Sequence, residues 1–281
     1  MILSSRPILP AEVADHYEDL DRIYREVWGE HVHHGLWRTG RESATEAVEQ
    51  LVELVAVETG MKAGCSAVDI GCGYGATARQ LATRHGAMIT GLTITPAQFH
   101  YAVAVTLSDN PRYLLQDWLT NELPDASFDA AYAIESTEHM EDKARAFAEA
   151  FRVLRPGGHL AICVWTAADR PRPWENRHLL EPICREGRLP GMGTEADYHD
   201  LLIGAGFQVE GVMDISRHVR GTWGICVRRA VAKILTDRQS RAYLFSALSR
   251  HRVFLITIGR IWLAYRTGAM RYLVWRARKP S

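Results

Sequence analysis

Three short stretches carry side chains that could do chemistry. The first is Val68-Asp69-Ile70-Gly71-Cys72-Gly73-Tyr74-Gly75-Ala76, an apolar run that ends in an acid and then alternates glycine with other residues. Glycine lacks a Cβ, so such a loop turns sharply and brings its backbone against a ligand. A helix starting at Ala76 would add free N–H groups and a partial positive charge, and the combination reads as a site for a nucleotide-like cofactor. The second stretch is Glu135-Ser136-Thr137-Glu138-His139. A helical turn there would put Glu135 and His139 on one face, where the carboxylate orients the imidazole and raises its basicity. Glu138 is a further catalytic candidate that competes with helix capping, for which Ser136 is suited. The third is His31-Val32-His33-His34. Adjacent His33 and His34 are poorly spaced to share an ion without other ligands. The segment therefore reads as a lid over cofactor or substrate rather than a metal site, with Tyr24, Trp28 and Trp37 beside it.

The elements that must position these residues follow from periodicity. Ala11–Val27 has a helical stripe of Tyr17, Leu20, Ile23, Tyr24 and Val27, and Ser43 caps a second helix running to about Thr59. Strands and helices then alternate: Ser66–Ile70, a helix from Ala76, Ala87–Ile94, a helix from Pro96, a short strand near Arg112–Leu115, and Phe128–Ile134. A helix over Glu141–Leu154 precedes a strand at His159–Val164. That rhythm predicts an α/β, doubly wound, mostly parallel sheet with ligands at the carboxyl ends of its strands. Thr166–Met192 reads as an insertion over the site, Phe207–Ile215 as a sixth strand, and Met270–Arg278 as a seventh that returns to the sheet. The expected organisation is N-terminal helices and lid over 1–60, the cofactor-binding core over 61–221, a helical basic cap over 222–268, and the last core strand over 269–281.

Gly71-x-Gly73-x-x-Ala76 also fits a dinucleotide fingerprint, but Thr93 stands where an acid would hold the ribose. Together with Gln116-Asp117-Trp118, Phe128-Asp129 and Arg155-Pro156-Gly157-Gly158, the loop resembles that of the class I S-adenosylmethionine-dependent methyltransferases. Gly91-Leu92-Thr93-Ile94-Thr95-Pro96, Glu135-Ser136-Thr137-Glu138-His139-Met140 and Trp28-Gly29-Glu30-His31 are similar to the tocopherol and small-molecule C-methyltransferase group, related to sterol, cyclopropane-fatty-acid and isoprenoid methyltransferases. The likeness spans nearly the whole chain. It implies a seven-stranded Rossmann-like sheet and S-adenosylmethionine as cofactor. Asp69, Gly71, Gly73 and Gly75 would meet its methionine end, Thr93 and Gln98 its ribose, and Asp117 and Trp118 its adenine, with Ile134, Tyr24 and Trp37 completing the site. Trp28, His33, His34, Trp165, His218 and Trp223 are the substrate candidates.

Composition bounds the rest. At 281 residues, 47% apolar and 23% charged, the chain has the make-up of a globular protein. Its formal charge is zero, yet residues 222–281 hold thirteen Lys or Arg against one acid, Asp237. That split points to a phosphate-bearing substrate met by Arg220, Arg228 or Arg229, to a membrane surface, or to nucleic acid; equally, basic cap helices could simply dock on an acidic core. No Asn-Pro-Pro-aromatic motif or nucleophilic cysteine motif supports a nucleic-acid substrate. Five scattered cysteines with no CxxC pair favour reduced thiols and a cytoplasmic location. The expected activity is C-methylation of a lipophilic isoprenoid or prenylated aromatic molecule with Glu135 as base. O- or N-methylation of a small natural product by positioning or a weak histidine base is the alternative. Peripheral membrane contact and a homo-oligomer are both compatible with this reading, as is a protein that binds the cofactor without turnover.

Overall fold

The structure, a computed structural model, describes residues 1–19, 21, 25, 28–236 and 253–281. Its strands are β1 (Ile2–Leu3), β2 (Ser66–Ile70), β3 (Met88–Thr93), β4 (Arg112–Leu115), β5 (Phe128–Ile134), β6 (Leu154–Ala167), β7 (Gly191–Met192), β8 (Gln208–Asp214) and β9 (Met270–Arg278). Seven of them form one sheet in the order β4-β3-β2-β5-β6-β9-β8. The first five in that order run parallel, and β9 lies antiparallel between β6 and β8. Connections from β2 and β5 leave toward opposite edges, so the crevice at their carboxyl ends is where such a sheet takes a ligand.

The strands are buried on both faces, as parallel strands flanked by helices must be. Alternate residues serve two cores: Ala67, Ala130, Tyr132 and Cys163 face one, while Val68, Ala131, Ala133 and Ile162 face the other. Local chemistry sets the helix starts. Ser43 and Glu46 form a reciprocal capping box ahead of helix Ala44–Glu58, a device worth about 1 kcal/mol. Asp142 caps Lys143–Val153, and Thr194 with Asp197 boxes Glu195–Gly204.

Several expectations change. The first helix spans Pro10–Asp19; part of its expected second half, with Tyr24, lies outside the described residues. β6 extends well beyond the expected strand because β9 pairs with it from His159 to Ala167. Thr166–Met192 is largely helical, through Glu181–Glu186, and ends in β7, which pairs with β1 near the N-terminus. The basic segment contributes helices Gly221–Thr236 and Val253–Thr267; its residues 237–252 lie outside the described set. Among the described residues no helix is long and apolar enough to cross a membrane.

Candidate active site

The loop after β2 crosses the carboxyl edge of the sheet with Gly71 and Gly75 in the left-handed region, at φ of 79° and 74°. A Cβ on Gly71 would lie 2.5 Å from the Cβ of Ser136, so only glycine fits where this loop meets the segment after β5. Two cavities open above the edge. The smaller, about 120 Å³, has Gly71, Gly73 and Ile134 at its base, Thr93 and Gln98 on one side, and Asp117 and Trp118 on another. The larger, about 350 Å³, is bordered by Trp28, Trp165 and Trp223, by Glu138, and by Arg6, Arg185 and Arg188. Tyr17, Val32, Glu135 and His139 line both, so the two spaces meet at these four side chains.

Glu135 ends β5 with φ of 53°, a left-handed conformation that costs a residue with a Cβ about 1–2 kcal/mol. Its carboxylate is held by donors on every side. Oε1 accepts from His34 N at 2.7 Å and from the Tyr272 hydroxyl at 2.7 Å. Oε2 accepts from Trp165 Nε1 at 2.8 Å, and His34 Nδ1 lies 3.0 Å from both oxygens. Trp223 Nε1 donates to His34 Nε2 at 2.9 Å. An indole N–H only donates, so His34 Nε2 must accept and Nδ1 carries the hydrogen given to Glu135. Burial pushes the Glu135 carboxyl up, but the His34 ring and its hydrogen bonds outweigh that and hold it well below the usual range.

His139 does not pair with Glu135, contrary to the four-residue spacing argument. The left-handed Glu135 breaks the chain direction before the one-turn 3₁₀ helix Thr137–His139, and no hydrogen bond joins the two side chains, although both line the same two cavities. His139 Nε2 lies 3.0 Å from the Tyr17 hydroxyl and Nδ1 3.2 Å from Arg188 O. A carbonyl only accepts, so Nδ1 carries the hydrogen and Nε2 presents its lone pair. Burial lowers the imidazole to about 4, leaving it neutral at physiological pH. Glu138 is also buried; its Oε1 accepts from Trp165 N at 2.7 Å. Burial, and secondarily the Glu135 charge, pushes its carboxyl up to about 8. Lys143 lies beneath and donates to the carbonyls of Glu138 and Met140.

The other candidates separate. Thr93 Oγ1 donates to Gln98 Oε1 at 2.9 Å, both buried. Asp117 caps the turn at Leu119 N, and Trp118 is anchored in the core by donating to Ala146 O while still lining the smaller cavity. Asp69 lies beneath the loop, its Oδ2 without a hydrogen-bond partner among the described residues, and burial pushes it up to about 7. Four expected contacts are not made. His34 is fully buried, gives its donors to Glu135 and lines neither cavity. Trp37 packs against Gly35 and Gly221 and donates to Glu42 O, away from both cavities. His218 is exposed in the turn Ser216–Val219. His33 is buried between Thr77 and the His34 carbonyl and reaches neither cavity. Likewise Arg220, Arg228 and Arg229 do not border the larger cavity; its cations are Arg6, Arg185 and Arg188. Among the described residues no group of three or more His, Cys, Asp or Glu is placed to hold a metal. Tyr17, Tyr272 and Arg188 were not singled out in the sequence: the two tyrosines sit in apolar periodic stretches that read as core.

An open, mostly parallel sheet with a glycine loop at its switch point, facing a second cavity, defines a nucleotide-cofactor protein of the α/β class. A family profile described as a methyltransferase domain matches residues 68–162. The chain is 30% identical to the 27-O-demethylrifamycin SV methyltransferase of Amycolatopsis mediterranei, over 97% of this chain and 98% of that protein. It is 28% identical to the chloroplastic tocopherol O-methyltransferase of Arabidopsis thaliana, over 99% of this chain and 84% of that protein. Among solved structures, the cyclase SpnF superposes with a TM-score of 0.79 at 26% identity, covering 99% of each chain. The chain belongs to the class I S-adenosylmethionine-dependent methyltransferases.

S-adenosylmethionine is therefore the cofactor, and groups lining the smaller cavity suit it chemically. Its floor has no room for a side chain at Gly71. Buried Gln116 Oε1 on its wall lacks a partner among the described residues, and the Thr93–Gln98 pair offers a hydroxyl and an amide to a diol without adding charge.

Proposed function

We propose that this enzyme methylates a lipophilic molecule through a hydroxyl, phenolic or enolic, that loses its proton to His139. The observation that carries this reading is the neutral His139 Nε2 lone pair at the meeting line of the two cavities. The cofactor supplies an electrophilic methyl on a sulfonium. The Tyr17 hydroxyl now on Nε2 either yields its place to the substrate hydroxyl or passes the proton through. Glu135 stays ionised under its donors and faces the seam as a fixed negative charge. The apolar walls exclude water and orient the acceptor, which supplies much of the rate in such transfers. Relatives whose names specify a rifamycin derivative and tocopherol support a lipophilic substrate.

C-methylation of an isoprenoid or prenylated aromatic molecule is the second reading, favoured by a different observation. Trp28, Trp165 and Trp223 border the larger cavity beside ionised Glu135, and each ring would stabilise a substrate carbocation by about 1–2 kcal/mol when desolvated. Glu135 as its base would first have to release a donor. Trideuteromethyl cofactor, incubated with pooled phenols, quinols, isoprenoid diphosphates and fatty acids, separates the readings by mass spectrometry. Label on oxygen, with His139→Gln lowering kcat by about 10²–10⁴ at unchanged cofactor affinity, is the expected result. Label on carbon with His139→Gln still active promotes the second reading. Bound cofactor with no labelled product rejects the lipophilic substrate class.

A further inference from the structure

Helix Gly221–Thr236 carries an apolar stripe at four-residue spacing whose exposure climbs steadily. Trp223 is 5% exposed, Val227 37%, Val231 49% and Leu235 72%. The stripe starts in the wall of the larger cavity and runs out of the protein. Helix Val253–Thr267 shows the same arrangement across its width. Thr257, Ile258 and Ile261 border the cavity, while Ile256, at 55%, and Trp262, at 52%, are exposed. A helix apolar on both faces belongs in a core or against lipid. Neither helix contains an acid. Arg228 and Arg266 are exposed, and the Arg266 guanidinium stacks 4.8 Å from the Trp262 ring centre. Tryptophan beside arginine, with aliphatic residues further out, suits the depth between headgroups and acyl chains.

We propose that these two helices dock on an anionic membrane leaflet, so that the substrate cavity opens beside lipid. Charge complementarity selects this occupant, since the two helices carry Arg228, Arg229, Lys233, Arg260 and Arg266 against no acid, with Arg260 paired to Glu186 beside the cavity. Continuity with the cavity supports it, because the same two helices wall the space that receives the substrate. The delivery of substrate rests on the lipophilic reading above; the docking does not.

The full chain is sedimented with phosphatidylglycerol vesicles and with phosphatidylcholine vesicles. Binding to the anionic vesicles alone, weakened by salt, is expected. Leu235→Ser and Trp262→Ser should each lower partitioning about tenfold or more, and Arg228→Gln about fivefold, with cofactor affinity unchanged as the check on folding. Absence of anionic-vesicle binding, or binding indifferent to Leu235→Ser and Trp262→Ser, overturns the proposal. So does a wild-type dimer, seen by light scattering, that these variants convert to monomer, because a second copy then covers the face. Loss of thermal stability in both variants with vesicle binding intact assigns the face to residues 237–252 of the chain and equally overturns it. Turnover on detergent-dispersed substrate is measured in parallel, so failure of docking and failure of the methylation reading give different results.

Discussion

Replacing Glu135 by glutamine changes two atoms' charge and little volume, and its cost follows from the donors around it. Oε1 accepts His34 N and the Tyr272 hydroxyl at 2.7 Å each, and Oε2 accepts Trp165 Nε1 at 2.8 Å. An amide keeps only one acceptor. If its oxygen takes the Oε1 place, its NH₂ faces the indole N–H, which cannot accept. One charge-assisted bond worth about 1.5–3 kcal/mol is lost, and a buried donor is left unpaired at about 1–3 kcal/mol. The expected destabilisation is about 3–5 kcal/mol from these two effects together. At about 2 °C per kcal/mol for a chain of this size, the melting midpoint falls about 6–10 °C, and urea titration gives the free energy directly. Tyr272→Phe removes one such donor and leaves the others, so it costs about 1.5–3 kcal/mol. The pH dependence carries a matching signature. A carboxyl held low when folded contributes stability that is present above its unfolded value of 4.5 and is lost as pH falls toward about 2. Glu135→Gln lacks that acid-side contribution. A variant within 1 kcal/mol of wild type by the urea measure would refute the claim that these donors hold Glu135 ionised in its left-handed conformation.

Gly71→Ala should cost about 1–3 kcal/mol and weaken cofactor binding, because the added methyl meets Ser136 at 2.5 Å and the backbone φ is 79°; calorimetric titration with cofactor and a thermal melt read both effects. The apo-protein should lose stability as pH rises toward 8. Glu138 and Asp69 are held up at about 8 and about 7, so their contribution is full below their unfolded values and disappears as pH climbs through the folded ones. Glu138→Gln, an uncharged mimic of the protonated acid, should flatten the alkaline side of a plot of melting midpoint against pH. On the acid side, His139 is held down at about 4 and His31 at about 3. A histidine kept neutral by burial gives stability that is lost as pH falls below the unfolded value of 6.5, so the same plot should descend on that side too.

What the sequence made legible, and what it hid, divides along one physical line. Pattern-borne features survive because local spacing determines them: the buried run Ser66–Ile70, the glycine loop, the Thr93–Gln98 pair five residues apart, and the final strand Met270–Arg278 that joins the sheet between β6 and β8. The polar network around Glu135 is hidden because its members come from the lid segment (His34), β6 (Trp165), helix Gly221–Thr236 (Trp223) and β9 (Tyr272). No spacing rule links positions so far apart in the chain. A helical turn would have joined Glu135 to His139, but Glu135 is left-handed, with its carboxylate held by donors distant in the chain. Tertiary contacts and local conformation together reassign the chemistry. A carboxylate expected to accept a proton is satisfied by donors on all sides, while the histidine expected to be its partner instead meets the Tyr17 hydroxyl at Nε2 and the Arg188 carbonyl at Nδ1. The same four-way junction ties the lid, the sheet and the helix bearing Trp223 to one anion where the two cavities meet, so movement of either covering element would be felt first at the Glu135 carboxylate.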